Sequence, residues 1–187
     1  MGEDTSSEST ANRELISAIG GGAVGACFAT PVELIMVQQQ NMGGSIWHTA
    51  KRLGIAANPA VVWRGLSMAL IRDSIYVGAM LGFTPILNRH FQKEYGCSPE
   101  ASNFYASMVG GVVAGVPSHP FDMIKTCMQG DLAGQTYASA SQTFRAVWAE
   151  GGLRRLFSGG FWRTFNITAT VYIANEINIR AKAYLNP

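Results

Sequence analysis

The chain has 187 residues, of which 48% are hydrophobic and only 14% are charged, and its formal net charge is +2. So small a charge, without a cluster of basic and aromatic side chains, argues against a nucleic-acid partner. The three cysteines are odd in number and have no CxxC spacing, so neither a disulfide framework nor a zinc site is predicted. We expect no metal and no cofactor.

The N-terminal segment, residues 1–13, is acidic, rich in serine and threonine, and without an apolar core. It is neither a secretory signal nor an arginine-rich transit peptide. The composition predicts a disordered or loosely ordered tail.

Apolar segments long enough to cross a membrane follow this tail. Four of them, extended through their charged ends, each reach roughly the 20 residues that a bilayer requires: residues 15–32, 74–88, 101–118 and 160–178. The last contains Arg163 and Glu176, and charges within such segments usually face a bundle interior or a wet cavity. The sequence therefore predicts an all-α membrane protein with four transmembrane helices.

A shorter segment with helical spacing of apolar residues lies between the two members of each pair of predicted spans. The first is carried by Ile46, Trp47, Ala50 and Leu53, and the second by Ala140, Phe144, Val147 and Trp148. Their modest length favours interfacial or solvent-side amphipathic helices over further spans.

The two halves of the chain are copies of one unit. Shifted by 89 residues, 21–40 aligns with 110–129 without a gap and with six identities in twenty. A shift of 94 places 62–73 on 156–167, so the five extra residues fall in the connecting loop. A fixed period of this kind indicates a repeat architecture. The predicted repeats are residues 14–95 and 96–187.

Glycines at a spacing of four recur in both copies, as Gly21 with Gly25 and Gly111 with Gly115. This spacing predicts surfaces at which membrane helices approach each other closely.

The loops within each repeat are basic, and the other polar segments are not. Their acidic residues are Asp131 and Glu150. Their basic residues are more numerous: Lys51, Arg52, Arg64, Arg145, Arg154 and Arg155. The positive-inside rule therefore places these loops on the inner face of the membrane and both termini outside.

The motifs that end the first span of each repeat resemble those of the mitochondrial carrier family. In that family the motif is Pro-x-[Asp/Glu]-x-x-[Lys/Arg], followed by an amphipathic matrix-side helix, a [Lys/Arg]-Gly turn and a second span. This sequence has it in full at 120–125, with Gln129, and in part at 31–33, with Gln40. The Arg64-Gly65 turn and the Glu150-Gly151 pair are also present.

The resemblance implies a six-helix bundle of three repeats around a water-filled cavity, of which two repeats are present here. It implies that Pro31 and Pro120 kink the odd helices. It further implies a matrix-side gate of charged and amide side chains: Glu33, Asp122, Lys125, Gln40 and Gln129. The alternative for Asp122 and Lys125 is an ordinary pair three residues apart on one helix.

The sequence departs from the family pattern in three respects. A full carrier has three repeats. Met36 occupies the position that corresponds to Lys125, so Glu33 has no cation within its own motif. The aromatic-acid start of an outer gate is missing from the ends of both even helices, at 84–88 and 178–182.

In the family that this sequence resembles, the substrate contacts lie midway along the even helices. Here these positions are Arg72 and Asp73 in the first copy and Asn166 in the second, and Glu176 is a further cavity candidate. An arginine next to an acid can meet a carboxylate and an amine together. The alternative is a self-neutralised pair packed between helices.

The resemblance therefore implies a multi-pass transporter of the mitochondrial inner membrane, not an enzyme, that moves a small anionic or zwitterionic metabolite by alternating access. Both termini would face the intermembrane space. The alternative is a carrier-derived structural subunit of a respiratory or ATP-producing complex that no longer transports. Expected partners are membrane lipid, with cardiolipin as the candidate, the metabolite, and a further carrier repeat or other membrane subunits.

Overall fold

A computed structural model describes residues 2–55 and 58–185, and these form helices, turns and loops without a strand. The helices are α1 (Gly2–Met42), α2 (Ile46–Arg52), a 3-10 turn (Pro59–Trp63), α3 (Leu66–Val77), a π-helical stretch (Gly78–Phe83), α4 (Thr84–Tyr95), α5 (Pro99–Gly130), α6 (Ala140–Leu156) and α7 (Gly160–Leu185). The all-α class and the order of elements in the two repeats are confirmed.

Helix α1 begins at Gly2. The loosely ordered tail over residues 1–13 stays a prediction.

Two helices in the described part of the chain are both long and apolar enough to cross a membrane, over Leu15–Met42 and Pro59–Tyr95. They contain the first and second predicted spans. At 32 and 26 residues, α5 and α7 would extend about 48 and 39 Å, so they too have the length of a span.

Helix α5 carries its polar residues on its buried face and its large apolar residues on its exposed face. From residue 102 to residue 119 the buried positions come in pairs every four residues, and they are mostly serine, alanine, glycine and asparagine. The exposed face carries Phe104, Tyr105, Met108, Val109, Val112, Val113 and Val116. A lipid environment favours this arrangement, because small residues let helices approach while large apolar ones meet the hydrocarbon.

The buried pattern of α5 is interrupted at Pro120. Residues 120–123 are only half-buried, and burial resumes at Ile124 and Lys125. Proline removes the hydrogen bond to the carbonyl four residues earlier and crowds that carbonyl. Pro31 likewise lies inside α1. A kink at either proline stays a prediction.

Contacts divide the described residues into two compact units. The first comprises Met1–Gly22, Ser74–Ser118 and Gly159–Pro187, and the second comprises Ala23–Asp73 and His119–Ser158. Both units therefore draw on both sequence repeats.

The first unit is held together by glycine-mediated contacts between helices. A Cβ placed on Gly111 would lie 2.6 Å from Thr168 Cα, and one on Gly115 would lie 2.8 Å from Thr164 Oγ1, so α5 and α7 meet at these glycines. The π-helical stretch makes similar contacts, because a Cβ on Gly78 would lie 2.8 Å from Ile19 Cγ1. By contrast, Gly21 and Gly25 on α1 have no atom of the described chain within 4 Å of such a Cβ.

Pro85 favours the π-helical conformation of the residues that precede it. Proline has no N–H to donate to the carbonyl of Leu81, four residues earlier. The backbone N–H of Thr84 bonds instead to Ala79 O, five residues back, and the Thr84 hydroxyl donates to the same oxygen at 2.8 Å. The wider turn is therefore supported by two hydrogen bonds at Thr84.

The second unit has an apolar core between α5 and α6. Ile124, Met128, Val147 and Leu156 are buried together. The predicted amphipathic faces of the short helices are correct only in part: Val147 is buried, but Phe144 and Trp148 are exposed and stack on each other with ring centroids 5.8 Å apart. On α2, Ile46 and Trp47 are exposed as well. Exposed aromatic residues on short helices suit a membrane–water interface.

The loop between α5 and α6 is closed by Asp131. Its carboxylate accepts hydrogen bonds from the backbone N–H groups of Gln135, Thr136 and Tyr137, at 3.3, 2.8 and 2.8 Å. The N–H of Tyr137, followed by that of Thr136, contributes most to lowering the pKa of this carboxyl. The loop thereby presents the Tyr137 ring to α6.

On α6, the Glu150 carboxylate accepts a hydrogen bond from that tyrosine. The Tyr137 hydroxyl donates to Glu150 Oε1 at 2.6 Å, and Arg155 Nε lies 3.0 Å from Glu150 Oε2. The hydrogen bond to Glu150 raises the pKa of Tyr137 to about 12. The helix breaks directly after Glu150, where Gly152 has a φ of +56°, a conformation that favours glycine.

Replacing Gly111 by alanine should destabilise the protein by about 1–3 kcal/mol, because the new methyl group would collide with the backbone of α7 at Thr168. The matched control is Gly25→Ala, which meets open space and should be neutral or stabilising by up to about 1 kcal/mol through helix propensity. Thermal unfolding in detergent measures both. Equal losses of stability in the two variants would contradict the described packing.

Replacing Tyr137 by phenylalanine should raise the pKa of Glu150, because the phenol hydrogen bond is the largest cause that holds this pKa below its usual range. Arg155→Gln should raise it too, and Arg145→Gln, on an exposed residue of the same helix, should not. Carboxyl ¹³C chemical shifts, followed against pH in the solubilised protein, report the pKa directly.

The lowered pKa of Glu150 also has a defined effect on stability. Its contribution is present above the unfolded-state pKa and is lost as the pH falls through the lower folded-state value. The loss on acidification should therefore be smaller in Tyr137→Phe than in the wild type. An unchanged Glu150 titration in Tyr137→Phe would show that the hydrogen bond is not formed in solution.

Candidate functional site: a charge network beside the proline motifs

An ion pair joins the proline motifs of the two sequence repeats. Lys125 Nζ on α5 lies 2.5 Å from Glu33 Oε2 on α1, with 3% of the lysine side chain and 31% of the glutamate side chain exposed. The proline motif supplies both charges: Glu33 follows Pro31 by two residues, and Lys125 follows Pro120 by five. The structure therefore brings the predicted gate acid and gate base together across the repeats.

Arg72 on α3 reaches the acids of both motifs. Its Nη2 donates to Glu33 Oε1 at 2.9 Å, and its Nη1 donates to Asp122 Oδ1 at 3.0 Å. Its Nε donates to the neighbouring Asp73 Oδ1 at 2.7 Å. Arg72 thus makes the predicted self-neutralised pair with Asp73 and, in addition, two contacts that the sequence reasoning did not foresee.

The network has three carboxylates and two cations, so its formal charge is negative. The cations are the better buried groups, because the side chains of Arg72 and Lys125 are 9% and 3% exposed while those of Glu33 and Asp122 are 31% and 24% exposed. A buried cation is stable only when it is paired, since removing one partner of a buried pair typically costs about 3–5 kcal/mol. The carboxylates, by contrast, are accessible to water.

Two glutamines connect the C-terminal ends of α1 and α5 below this network. Gln38 Nε2 donates to Gln129 O at 2.6 Å, and Gln129 Nε2 donates to Arg64 O at 3.3 Å. Both glutamines are fully buried, whereas Gln40, which was predicted to brace the gate, is exposed. The contact to Gln129 is thus made by Gln38, and a gate role for Gln40 stays a prediction.

The spacing of the buried residues of α1 identifies Gln38 as a residue of its buried face. Its buried positions recur every four residues as Ala18, Gly22, Ala26, Thr30, Leu34 and Gln38. A strict four-residue spacing keeps one face of a helix towards its neighbours, and Gln40 lies off this face. The alignment of Gln40 with Gln129 does not take the helix face into account.

The predicted Arg64-Gly65 turn packs directly against the network. Arg64 Nε donates to Met128 O at the end of α5, at 2.7 Å. Its Nη2 donates to Tyr137 O in the loop that follows α5, at 3.1 Å. Gly65 has a φ of +83°, and a Cβ there would lie 3.2 Å from Lys125 Cγ. Only glycine therefore fits at this position beside the lysine stem.

The other predicted substrate residues belong to the first unit. Asn166 is exposed on α7. Glu176 accepts a hydrogen bond from Asn103 Nδ2 at 2.9 Å and pairs with Arg180 Nε at 2.9 Å. Arg72 and Asp73 belong to the second unit. The four predicted substrate residues thus fall in two units, with Arg72 and Asp73 in the second and Asn166 and Glu176 in the first.

Comparison with known proteins assigns both repeats to one family. The family model for the mitochondrial carrier protein matches residues 7–95 and 98–175. The chain is 25% identical over 143 residues to the mitochondrial substrate carrier family protein ucpB of Dictyostelium discoideum, covering 72% of this chain and 48% of that protein. It is 30% identical over 133 residues to the mitochondrial glycine transporter of Xenopus laevis, covering 70% and 43%.

A plant relative differs in its named substrate. The chain is 23% identical over 161 residues to the mitochondrial dicarboxylate/tricarboxylate transporter DTC of Arabidopsis thaliana, covering 79% of this chain and 54% of that protein. The chain spans about half the length of the curated relatives that it matches. No solved structure gives a significant match. Because the family model covers both repeats and most of the chain, the chain belongs to the mitochondrial carrier family.

Proposed function

We propose that the chain acts as a transporter of a small anionic or zwitterionic metabolite by alternating access. The observation that carries this proposal is the ion pair between Glu33 and Lys125, which joins the proline motifs of two repeats in a chain of the carrier family. The predicted alternative, an isolated pair of Asp122 and Lys125 on one helix, does not account for the bond across the repeats.

The proposed gate opens by exchanging protein partners for water. In the closed state, Lys125 and Arg72 lie in a site of low water content, where attraction between opposite charges is strong. In the open state, water reaches the same groups and the attraction falls several-fold. Glu33 and Asp122 are already partly exposed, so the carboxylate side of the network is where water would enter. Gln38 and Gln129 would brace the closed state.

The proposed substrate contact is the pair Arg72 and Asp73. A guanidinium binds a carboxylate with two hydrogen bonds, and an adjacent acid can pair with an amine. Glycine, named as the substrate of one relative, carries both groups, and the dicarboxylates named for another carry only the first. Asn166 and Glu176 are proposed as further substrate contacts.

We place the protein in the mitochondrial inner membrane, as a multi-pass protein with both termini towards the intermembrane space. The basic loops within the repeats support this orientation. Membrane lipid, with cardiolipin as the candidate, is a proposed partner, as are a further carrier repeat or other membrane subunits. The rival proposal, a structural subunit without transport, is not favoured by relatives that are named as transporters.

The purified chain, reconstituted in liposomes, should exchange external labelled glycine or malate for internal unlabelled solute. The Arg145→Gln variant, which changes an exposed arginine of α6, should keep the wild-type rate, and Glu33→Gln should lower it at least tenfold.

Absence of exchange for every small anionic and zwitterionic solute offered would contradict the proposed function. Co-purification of the chain in fixed ratio with a respiratory or ATP-producing complex would then support the structural subunit instead.

Glu33→Gln should also destabilise the protein by about 3–5 kcal/mol, because it leaves the buried Lys125 without its closest opposite charge. The double variant Glu33→Gln/Lys125→Met should lose less, since it removes the unpaired cation as well. The control is Glu94→Gln, on an exposed residue of α4, which should stay within about 0.5 kcal/mol of the wild type. Thermal unfolding in detergent measures all three. A double variant less stable than Glu33→Gln would show that Lys125 is not a buried partner of Glu33.

A further inference from the structure

Arg72 makes contacts that a substrate residue alone does not need. Two of its three guanidinium nitrogens donate to acids of different helices, Glu33 on α1 and Asp122 on α5. Its side chain is 9% exposed and lies within the same compact unit as both acids. The guanidinium therefore links α1 to α5 through α3.

The first proline motif lacks the cation that the second one has. Met36 stands where the second motif has Lys125, and it is half exposed. Lys125 pairs with Glu33, whereas Arg72 pairs with Glu33 and with Asp122 on the other odd helix. One ammonium is a point charge, whereas the planar guanidinium fork can bind two carboxylates at fixed angles.

We propose that Arg72 is a gate residue: it supplies the cation that the first motif has lost at Met36, and it holds the C-terminal ends of α1 and α5 together in the closed state. The inference rests on the proposed function for the meaning of a gate. The physical statement, that Arg72 holds two odd helices together, does not depend on transport.

Asp73 has a supporting part in this arrangement. It binds the Nε of Arg72 at 2.7 Å, which leaves the two terminal nitrogens directed at Glu33 and Asp122. Asp73 is thus a positioning residue that fixes the plane of the guanidinium. Lysine at position 72 would keep the positive charge but could not make the three bonds together.

The test is a distance between the two odd helices in the absence of any solute. Spin labels are attached to cysteines introduced at Gln40 and Thr126, both exposed and both in the same unit as the network, after Cys27, Cys97 and Cys127 have been replaced. The protein is held in nanodiscs of phosphatidylcholine and cardiolipin. Double electron–electron resonance gives the distribution of distances between the labels.

We expect a narrow distribution in the wild type, a shift to longer distances with broadening in Arg72→Gln, and an intermediate distribution in Arg72→Lys. Arg145→Gln is the matched control, since it removes an exposed arginine of the same unit, and it should reproduce the wild type. Circular dichroism and a monodisperse elution profile establish that each variant is folded. If Arg72→Gln fails to fold, Arg72→Lys decides between the outcomes.

A wild-type distribution in Arg72→Gln, or in Arg72→Lys where only that variant folds, would overturn the inference. The proposed function fails separately: a chain that exchanges no metabolite but lengthens its α1–α5 distance in Arg72→Gln keeps the inference and loses the transport proposal. A chain that exchanges metabolites with an unchanged distance keeps transport and loses the role of Arg72.

Discussion

Two buried cations and the acids that neutralise them set the main constraint on this structure. Lys125 and Arg72 can remain charged away from water only while carboxylates lie within hydrogen-bonding distance. Their partners come from different helices, with Glu33 on α1 and Asp122 on α5. The requirement to pair these charges therefore fixes which faces of α1, α3 and α5 meet. The glutamine contacts and the Arg64-Gly65 turn follow from that meeting, because they lie directly beside it.

The same network explains why the two roles proposed for Arg72 are compatible. Its Nε and both terminal nitrogens are occupied by carboxylates. A carboxylate-bearing solute that bound this guanidinium with two hydrogen bonds would have to displace Glu33 or Asp122. Solute binding and loosening of α1 from α5 would then be one event, and the energy of the new bonds would offset that of the broken ones. An exchanger needs such a link between occupancy and opening.

The sequence contained much of the fold and part of the site. The repeat at a fixed period and the proline motifs were enough to predict the helices and to select Glu33 and Lys125 as charged residues of one site. These features depend on residues close together in the chain or on a repeated pattern, and both can be read without a structure. The short helices were also found, although Phe144 and Trp148 turned out to be exposed.

What the sequence missed depends on helix faces and on contacts over long separations. Gln40 was chosen by alignment, but only the four-residue burial pattern of α1 identifies Gln38. The hydrogen bond from Arg72 to Asp122 joins residues that are 50 apart in the sequence, and it depends on the length of the arginine side chain. Gly21 and Gly25 share their spacing with Gly111 and Gly115, yet only at the latter pair would an added Cβ lie within 4 Å of other helices in the described chain. In each case the outcome depends on which residues of other helices lie beside the side chain, and the local sequence does not contain that information.

The central claim is that one guanidinium is shared by the acids of two odd helices, and a double-mutant cycle tests it most directly. Thermal unfolding in detergent is measured for Arg72→Gln, Glu33→Gln, Asp122→Asn and the two double variants that contain Arg72→Gln. The account predicts coupling free energies of about 1–3 kcal/mol between Arg72 and each acid, as for residues in one ion-pair network. Effects that add to within about 0.5 kcal/mol for either acid would contradict it.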